Sequence, residues 1–344
     1  MEIRKLGDDE RGQTRLLWEE VFTEDTKDFL DYYYEYKIVN NQIYVIEEDG
    51  VIRSMLQLNP YYAYVEKDMS RVNYIVAVAT QESYRRNGYM GKLLCLALVD
   101  MYWKQEPFAF LMPAAERIYT PYEFVTVTSQ IHYQYNGSLS ELGLPCVKGY
   151  DTVAAKDKDC EALAKLTDEN LKYQYDVSIC RDSAFFQRLI KEQESQNGHI
   201  VLVMKDDVLE GYFMMSGETG IQIREPIMRD PSVDLLNIMQ LSVKEELNMM
   251  VRIVHLQTLF ECMKPKSDFS TKIEVFDSII SENTGVYQLK AEGGSIHCKK
   301  VKEVVSQDTA LTISELTGYL FGKSADSNLS KLESMSRICL HEIV

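Results

Sequence analysis

The sequence predicts an α+β fold with two mixed-sheet domains, residues 1–150 and 151–249, followed by a smaller α/β domain, residues 250–344. Three observations support this prediction. A chain of 344 residues is long enough for two or three domains with cores of their own. Its apolar content of 45% and charged content of 26% are those of ordinary globular proteins. Helical and strand-like hydrophobic patterns alternate along the chain, and their order in the first domain returns in outline in the second.

The first domain is expected to begin with helices and to continue into a mostly antiparallel sheet. Residues 10–38 carry two helical patterns. A hairpin follows, because Asp49 and Gly50 supply the positive φ that a tight turn needs. The further predicted elements are strands 42–47, 51–58, 61–66 and 71–80, a helix from Gly88 to about Gln105, a strand 108–112, a helix 116–119 and a strand 124–135.

The second and third domains are predicted in the same way. The second is expected to contain helices 157–174 and 182–195, strands 200–205, 209–216 and 221–227, and a helix 232–249. The third is expected to contain a helix 256–263, strands 273–280, 286–289 and 296–301, a helix that runs to Gly322 and a terminal strand 338–344. Thr312 and Glu315 have the spacing of a capping box at the start of that last helix. The terminal strand should dock, since burying each large aliphatic side chain is worth about 1.5–3 kcal/mol.

Charge and hydropathy argue against a nucleic-acid-binding, a secreted or a membrane-spanning protein. The chain has 37 Lys and Arg against 53 Asp and Glu, a formal net charge of −16, so we expect no nucleic-acid partner. Such a surface favours cationic amines over anions as small partners. The N-terminus lacks the apolar stretch of a secretory signal, and the most apolar helical segment is too short to cross a bilayer. We therefore expect a cytoplasmic protein with no membrane span.

The cysteines and histidines predict neither a disulfide framework nor a metal site. The 7 cysteines are scattered and odd in number, which is typical of reduced thiols. The 5 histidines stand apart from one another, so each is expected on the surface or satisfied in the core, with no metal bound. The sequence also lacks the motifs of nucleotide-triphosphate enzymes, dinucleotide enzymes, serine hydrolases and zinc proteases.

The most informative segment runs from Val76 to Gly91, as a strand, a basic glycine-containing turn and a long helix. Unpaired N–H groups at the start of a helix, together with the helix dipole, attract anions such as pyrophosphate. Gly88 and Gly91 would let an anion approach the backbone closely, and Arg85 and Arg86 add positive charge. The alternative interpretation is an ordinary strand-to-helix turn with two solvated arginines.

This segment resembles the acetyl-CoA-binding motif of the GNAT superfamily of N-acetyltransferases. Further along, Leu111–Tyr119 and Pro121–Phe124 resemble the segment that carries the catalytic tyrosine of enhanced-intracellular-survival (Eis) acetyltransferases. The layout of those enzymes is also similar: a GNAT domain, a degenerate second copy, and a sterol-carrier-protein-like domain whose terminal carboxylate enters the active site. The resemblance implies two GNAT-like mixed-sheet domains followed by a sterol-carrier-protein-like α/β domain. The sequence departs from the family pattern at Met90, where a small residue is usual, and at Glu123, where glycine is usual.

The resemblance also implies a role for each site residue. Tyr119 would be the general acid that protonates the departing thiolate, and the carboxylate of Val344 would be the base. No metal is implied. The residues assigned to acetyl-CoA are Val78, Ala79, Thr80, Arg85, Arg86, Asn87, Gly88, Tyr89, Met90, Gly91, Ala114 and Ala115.

Three functions stay open at this point. The first is an N-acetyltransferase that moves an acetyl group from acetyl-CoA to a primary amine by direct attack, with a small cationic amine or a lysine-containing peptide as acceptor. The second is a protein acetyltransferase that acts on lysines or N-termini. The third is a catalytically silent CoA- or lipid-binding protein. Proteins of the family it resembles commonly assemble as homo-oligomers, and we expect the same here.

Overall fold

The computed structural model of the protein describes residues 1–66, 68–217, 220–303, 310–324, 329 and 332–341. The elements up to residue 150 follow the predicted order from the first helix onwards, but the chain begins with a short strand at residues 2–5 and not with a helix. They are β1 (Glu2–Lys5), α1 (Arg15–Val21), α2 (Lys27–Tyr32), β2 (Gln42–Glu48), β3 (Val51–Val65), β4 (Asp68–Thr80), α3 (Tyr89–Trp103), β5 (Phe108–Leu111), α4 (Glu116–Tyr119) and β6 (Val125–Tyr135). The predicted strands 51–58 and 61–66 form one continuous strand, β3. Pro60 interrupts no bond to β2, because the pairing of β2 with β3 ends at Leu58.

In the rest of the chain one predicted helix is wrong, and three short strands, at residues 151–154, 177–179 and 311–312, are additional to the predicted elements. Its elements are β7 (Asp151–Ala154), α5 (Cys160–Gln174), β8 (Val177–Ile179), α6 (Ser183–Ser195), β9 (His199–Lys205), β10 (Val208–Ser216), β11 (Gln222–Met228), α7 (Leu235–Ile238), β12 (Leu241–Ile253), α8 (Leu256–Cys262), β13 (Phe269–Phe276), β14 (Gly285–Glu292), β15 (Ser295–Val301), β16 (Leu311–Thr312), α9 (Ile313–Leu320) and β17 (Ile338–Cys339). The predicted capping box is confirmed, since Thr312 and Glu315 satisfy each other's backbone N–H groups at the start of α9.

The predicted helix 232–249 is wrong. Only the four residues of α7 are helical there, and Leu241–Ile253 form strand β12. This strand pairs antiparallel with β5 on one side, at Met250 and Leu111, and with β6 on the other, at Asn248 and Ser129. Pairing with two strands that are distant in sequence therefore outweighs the helical tendency of the local residues.

The described strands form two sheets. The large sheet has 13 strands, with the main order β1-β2-β3-β4-β5-β12-β6-β11-β10-β9-β7, and β8 and β17 attached beside β3. The small sheet has the order β15-β14-β13-β16. Since β12 lies between β5 and β6, strands from both predicted N-terminal domains belong to one hydrogen-bonded sheet.

The helices cover both faces of the large sheet. One hydrophobic cluster holds side chains of α1, α2, α5 and α6 against the sheet, including Trp18, Phe29 and Phe186. A second cluster, on α3, includes Leu93 and Tyr119. None of the helices that the structure describes is long and apolar enough to cross a membrane.

The C-terminal segment docks as predicted, through Leu340. Strand β17 pairs parallel with β8, which in turn pairs antiparallel with β3. Ile338, Cys339 and Leu340 are buried. Val344, the predicted base, lies outside the described residues.

Candidate active site

Strands β4 and β5 separate at the centre of the large sheet. They pair in parallel only at Asn73 with Ala109 and Tyr74 with Phe110. Beyond these pairs β5 continues beside β12, whereas β4 continues beside β3. Among the described residues, the last part of β4 therefore has no strand partner on its β5 side, which leaves backbone groups there available to a ligand.

A bulge changes the course of β4 in this unpaired part. Two residues, Ala77 and Val78, lie opposite the single residue Leu56 of β3, and Ala77 has a φ of 50°. The strand end is then fixed by Ser54, whose hydroxyl donates to the carbonyl of Ala79 at 2.9 Å and contacts the hydroxyl of Thr80 at 2.8 Å. The three predicted contacts Val78, Ala79 and Thr80 thus lie together on the free edge.

The turn after β4 leads into the uncapped N-terminus of α3. Gly88, the N-cap residue, is in the left-handed conformation with a φ of 73°, and no side chain caps the helix. A Cβ built on Gly88 would meet no atom within 4 Å, so the space in front of the helix is open. The 15-residue helix therefore presents free N–H groups and the positive end of its dipole to that space.

The basic and polar residues of the turn have different contacts. The guanidinium of Arg85 donates to the carbonyl of Thr80 at 3.2 Å and so ties the turn to β4. The amide of Asn87 donates to the carbonyl of Tyr84 at 3.1 Å. The exposed Arg86, with a φ of 65°, makes no ion pair or hydrogen bond with the part of the chain that the structure describes. The guanidinium of Arg86 is thus available to an anion.

The first three residues of α3, Tyr89, Met90 and Gly91, contact other parts of the protein. The hydroxyl of Tyr89 donates to the carboxylate of Glu48, and Met90 packs against the hydrophobic cluster on α3. At Gly91 a Cβ would lie 2.1 Å from the hydroxyl oxygen of Tyr122. The space that the missing side chain leaves at Gly91 is thus taken by Tyr122, a residue that sequence reasoning did not place in the site.

Tyr119 belongs to the second hydrophobic cluster, together with side chains from the first turns of α3. Its ring packs edge-on against Phe124 with centroids 6.1 Å apart, and the residue is 7% exposed. Burial raises the pKa of Tyr119 to about 12. Among the described residues no group hydrogen-bonds its hydroxyl. Ala114 and Ala115 lie between the end of β5 and α4, where Ala114 is exposed and Ala115 is half-buried.

At position 123 the family pattern has glycine, and the structure explains how glutamate is accommodated there. Its backbone has a φ of 65°, the conformation that glycine adopts most easily. Its carboxylate pairs at 3.2 Å with Arg252, which is fully buried on β12. Burial raises the pKa of Glu123, and Arg252 opposes that rise.

Arg252 connects the segment that follows α4 to the segment that follows β13. Besides Glu123, its guanidinium donates to the carbonyl of Tyr122 at 3.0 Å and to Asp277 at 2.6 Å. Asp277 in turn accepts from the backbone N–H groups of Ile279 and Ile280. The sequence offers one signal for this network, the unusual residue at position 123, but it does not reveal the distant partners.

Ile338 and Leu340 pack in the first hydrophobic cluster, on the face of the large sheet opposite to α3 and Tyr119. His341 lines a small cavity of about 20 Å³, large enough for a water molecule. Polar side chains line it: Gln130, Arg181, Glu192, Arg224, Glu225 and His341. Within the described ranges, no three His, Cys, Asp or Glu side chains are grouped as metal ligands.

Comparisons with known proteins agree with this architecture. Residues 2–127 match the family model of an acetyltransferase (GNAT) domain, and residues 257–338 match that of a sterol carrier protein domain. No curated protein matches the chain in sequence. The predicted GNAT resemblance and the predicted sterol-carrier-protein-like domain are both confirmed.

Solved structures share the fold over nearly the whole chain. A probable N-acyltransferase from Enterococcus faecalis superposes with a TM-score of 0.77 at 18% identity, over 97% of this chain and 93% of that chain. A GCN5-related N-acetyltransferase from Anabaena variabilis gives 0.74 at 15% identity, over 97% and 94%. Eis1 from Mycobacterium abscessus gives 0.69 at 12% identity, over 96% and 92%. The Eis resemblance is therefore one of fold. The chain is an acyltransferase with a GNAT acetyltransferase domain at residues 2–127 and a sterol carrier protein domain at residues 257–338.

Proposed function

We propose that the protein transfers an acetyl group from acetyl-CoA to a primary amine by direct attack. The observation that carries the proposal is the separation of β4 from β5 beside the uncapped start of α3. This arrangement offers a free strand edge for the amide groups of pantetheine and a positive helix end for the pyrophosphate.

Different residues of the cleft would bind different parts of acetyl-CoA. Val78, Ala79 and Thr80 would bind the pantetheine and the acetyl carbonyl through their backbone, where an N–H polarises the carbonyl. The N–H groups from Gly88 to Gly91 and the unpaired Arg86 would hold the pyrophosphate. Arg85 and Asn87 shape the turn, while Tyr89 and Met90 offer their backbone. Ala114 and Ala115 would lie along the cofactor.

Tyr119 is the proposed general acid. As the amine nitrogen bonds to the acetyl carbon, the carbon–sulfur bond breaks and the thiolate takes the phenolic proton. With the pKa of Tyr119 near 12, the phenol is protonated at every physiological pH. A thiol has a pKa of about 8.5, so the transfer is uphill by about 5 kcal/mol unless polar groups of the substrate solvate the phenolate.

The terminal carboxylate of Val344 is the proposed base, which takes a proton from the attacking amine. Strand β17 runs in the same direction as β4, because it is parallel to β8 while β8 and β4 are both antiparallel to β3. The chain at β17 thus runs towards the end of β4 at which the cleft opens. This direction supports the proposal.

The proposal extends to the acceptor, the oligomeric state and the cellular location of the protein. The formal net charge of −16 favours a small cationic amine or a lysine-containing peptide as acceptor. We also propose a homo-oligomer and a cytoplasmic location.

The experiment is release of CoA thiol from acetyl-CoA in the presence of a panel of amines, with the acetylated product identified by mass. Deleting Val344 should lower the turnover at least tenfold while acetyl-CoA affinity stays within twofold. The matched control is Glu169→Gln, an exposed pair with Arg229 far from the cleft, which should behave as the parent. Absence of turnover with every amine, with CoA still bound, would favour the catalytically silent alternative. Unchanged turnover after the deletion would remove the terminus from the mechanism.

A further inference from the structure

A second cavity lies at a gap in the edge of β3. Strands β2 and β8 both pair with the edge of β3 that faces away from β4, but the pairing with β2 ends at Leu58 and pairing resumes with β8 at Ala63. Between these positions β3 has no strand partner on this edge in the part of the chain that the structure describes. The gap cavity that results has a volume of about 350 Å³, which is usual for a small-molecule site.

The gap cavity is separate from the acetyl-CoA cleft. Arg71 lines it and belongs to the start of β4, whereas Thr80 lies at the cleft and ends the same strand. A strand rises about 3.3 Å per residue, so the two residues are roughly 30 Å apart along β4. None of the residues assigned to acetyl-CoA lines the gap cavity. A ligand bound there would therefore be additional to acetyl-CoA.

Two arginines give the gap cavity a positive charge. Arg188, half-buried on α6, makes no ion pair or hydrogen bond with the residues that the structure describes. The Nε of Arg71 lies 3.6 Å from the buried carboxylate of Glu106, too far for a hydrogen bond. Asp182 also lines the cavity, but its carboxylate accepts from the backbone N–H of Phe185. In a chain with a formal net charge of −16, two guanidinium groups against one carboxylate favour an anionic ligand.

Aromatic rings form the rest of the wall. The rings of Tyr61 and Phe185 are buried and lie 6.4 Å apart, edge to face, so they form a fixed apolar surface. Tyr62 is 56% exposed, and among the described residues nothing hydrogen-bonds its hydroxyl. It lies directly opposite Arg71 in the pairing of β3 with β4, so an accessible ring and a cation are neighbours on one face of the sheet.

We propose that the gap cavity binds a small aromatic anion, a planar ring that bears a phosphate or carboxylate group. Arg188 would bind the anionic group, with Arg71 beside it, because the planar guanidinium matches two oxygens of such a group. The ring would stack on Tyr62, next to the fixed surface of Tyr61 and Phe185. A cationic amine, the acceptor class proposed for the cleft, is disfavoured by the two arginines. The inference is independent of the proposed function, since the gap cavity shares no residue with the cleft.

The test is a fluorescence titration of the full chain with 1-naphthyl phosphate, in the absence and in the presence of saturating CoA. We expect saturable binding with a Kd below about 1 mM, as is usual for a ligand of this size, and no effect of CoA. Arg188→Gln should weaken binding at least tenfold, since it removes a charged donor pair, and Tyr62→Ala at least threefold. Inorganic phosphate, which lacks the ring, should bind at least tenfold more weakly than the naphthyl ester.

Two arginine variants serve as matched controls. Arg229→Gln, at an exposed arginine paired with Glu169, should leave the affinity for naphthyl phosphate within twofold of the parent. Arg86→Gln should weaken the binding of CoA and leave that of naphthyl phosphate unchanged, whereas Arg188→Gln should do the reverse. Because Arg188 has no ion pair or hydrogen bond with the described residues, its variant should also unfold in urea at the same midpoint as the parent.

The outcomes separate this inference from the proposed function. Displacement of naphthyl phosphate by CoA, or its loss in Arg86→Gln, would place the compound in the cleft and overturn the inference. Absence of saturable binding, equal affinity for inorganic phosphate, or unchanged affinity in both Arg188→Gln and Tyr62→Ala would overturn it as well. Normal binding of naphthyl phosphate by a chain that transfers no acetyl group would remove the proposed function and leave the inference in place.

Discussion

The hydroxyl of Tyr122 occupies the space that a side chain at Gly91 would fill. A Cβ at residue 91 would be 2.1 Å from the hydroxyl oxygen and 3.0 Å from the ring carbon that bears it. The first turn of α3 and the segment after α4 are thus in direct contact. Tyr122 therefore lies next to the predicted anion site and three residues after Tyr119, the predicted acid. Tyr122 is fixed from the other side by Arg252, which donates to its carbonyl.

Gly91→Ala should therefore displace Tyr122 and disturb the start of α3. We expect CoA affinity to fall about tenfold and the free energy of unfolding to fall by about 1–3 kcal/mol, the usual cost of overpacking. Calorimetric titration with CoA and urea unfolding would measure both. Adding Tyr122→Phe removes the nearest atom and should restore part of the affinity. Full affinity in Gly91→Ala alone would show that Tyr122 moves away freely.

Tyr119→Phe should slow the chemical step by about 10²-fold or more and leave CoA binding unchanged, because the ring still packs on Phe124. Burial raises the pKa of Tyr119 to about 12, so the protonated, active form persists until the pH rises through that value. The parent kcat should therefore show no loss due to this group between pH 7 and about pH 10. A rate within twofold of the parent in single-turnover measurements of Tyr119→Phe would assign the acid elsewhere.

Glu123 offers a matched pair of substitutions. Both Glu123→Ala and Glu123→Gly remove one carboxylate from Arg252, which retains Asp277. Only alanine keeps a Cβ in the conformation with a φ of 65°. Urea unfolding should show the glycine variant to be more stable than the alanine variant by about 1 kcal/mol. Equal stability would mean that the strain at this residue is relieved by backbone movement.

The ion cluster of Arg181, Glu225 and His341 should impose a pH window on stability. The pKa of Glu225 falls from 4.5 to about 2 on folding, as Arg181 and His341 outweigh burial, so its contribution is present above pH 4.5 and is lost as the pH falls towards 2. The pKa of His341 rises from 6.5 to about 10, as Cys339 and Glu225 outweigh burial, so its contribution is present below pH 6.5 and is lost as the pH rises towards 10.

Urea unfolding across pH therefore separates the two contributions. The stability difference between the parent and Glu225→Gln should shrink below pH 4.5, and that between the parent and His341→Gln should shrink above pH 6.5. A difference that does not vary with pH would mean that neither charge contributes to the attachment of the chain end.

Local chemistry made several elements predictable. Helix α4 has the bounds that the sequence predicts, and two residues, Thr312 and Glu315, are enough to predict the capping box of α9. The strand, turn and helix around Gly88 are also predicted, because a glycine between two apolar runs marks a turn. Signals of this kind depend on neighbours in sequence.

Long-range partners account for what could not be predicted. Local sequence favours a helix over residues 232–249, whereas the strand conformation of β12 depends on β5 and β6, which are more than a hundred residues away. Local sequence does not reveal the roles of Tyr122 and Arg252 for the same reason. Tyr122 belongs to the site through its contact with Gly91, and Arg252 through its contact with Glu123. The role of Val344 stays a prediction.

The insertion of β12 has a consequence for synthesis on the ribosome. Until residue 253 has left the exit tunnel, the nascent chain holds β5 and β6 without the strand that joins them. Two open strand edges are exposed during that interval, and such edges invite pairing with other chains. Completion of the catalytic cleft thus waits for a segment encoded well downstream, so a fragment that stops near residue 150 would be prone to aggregate.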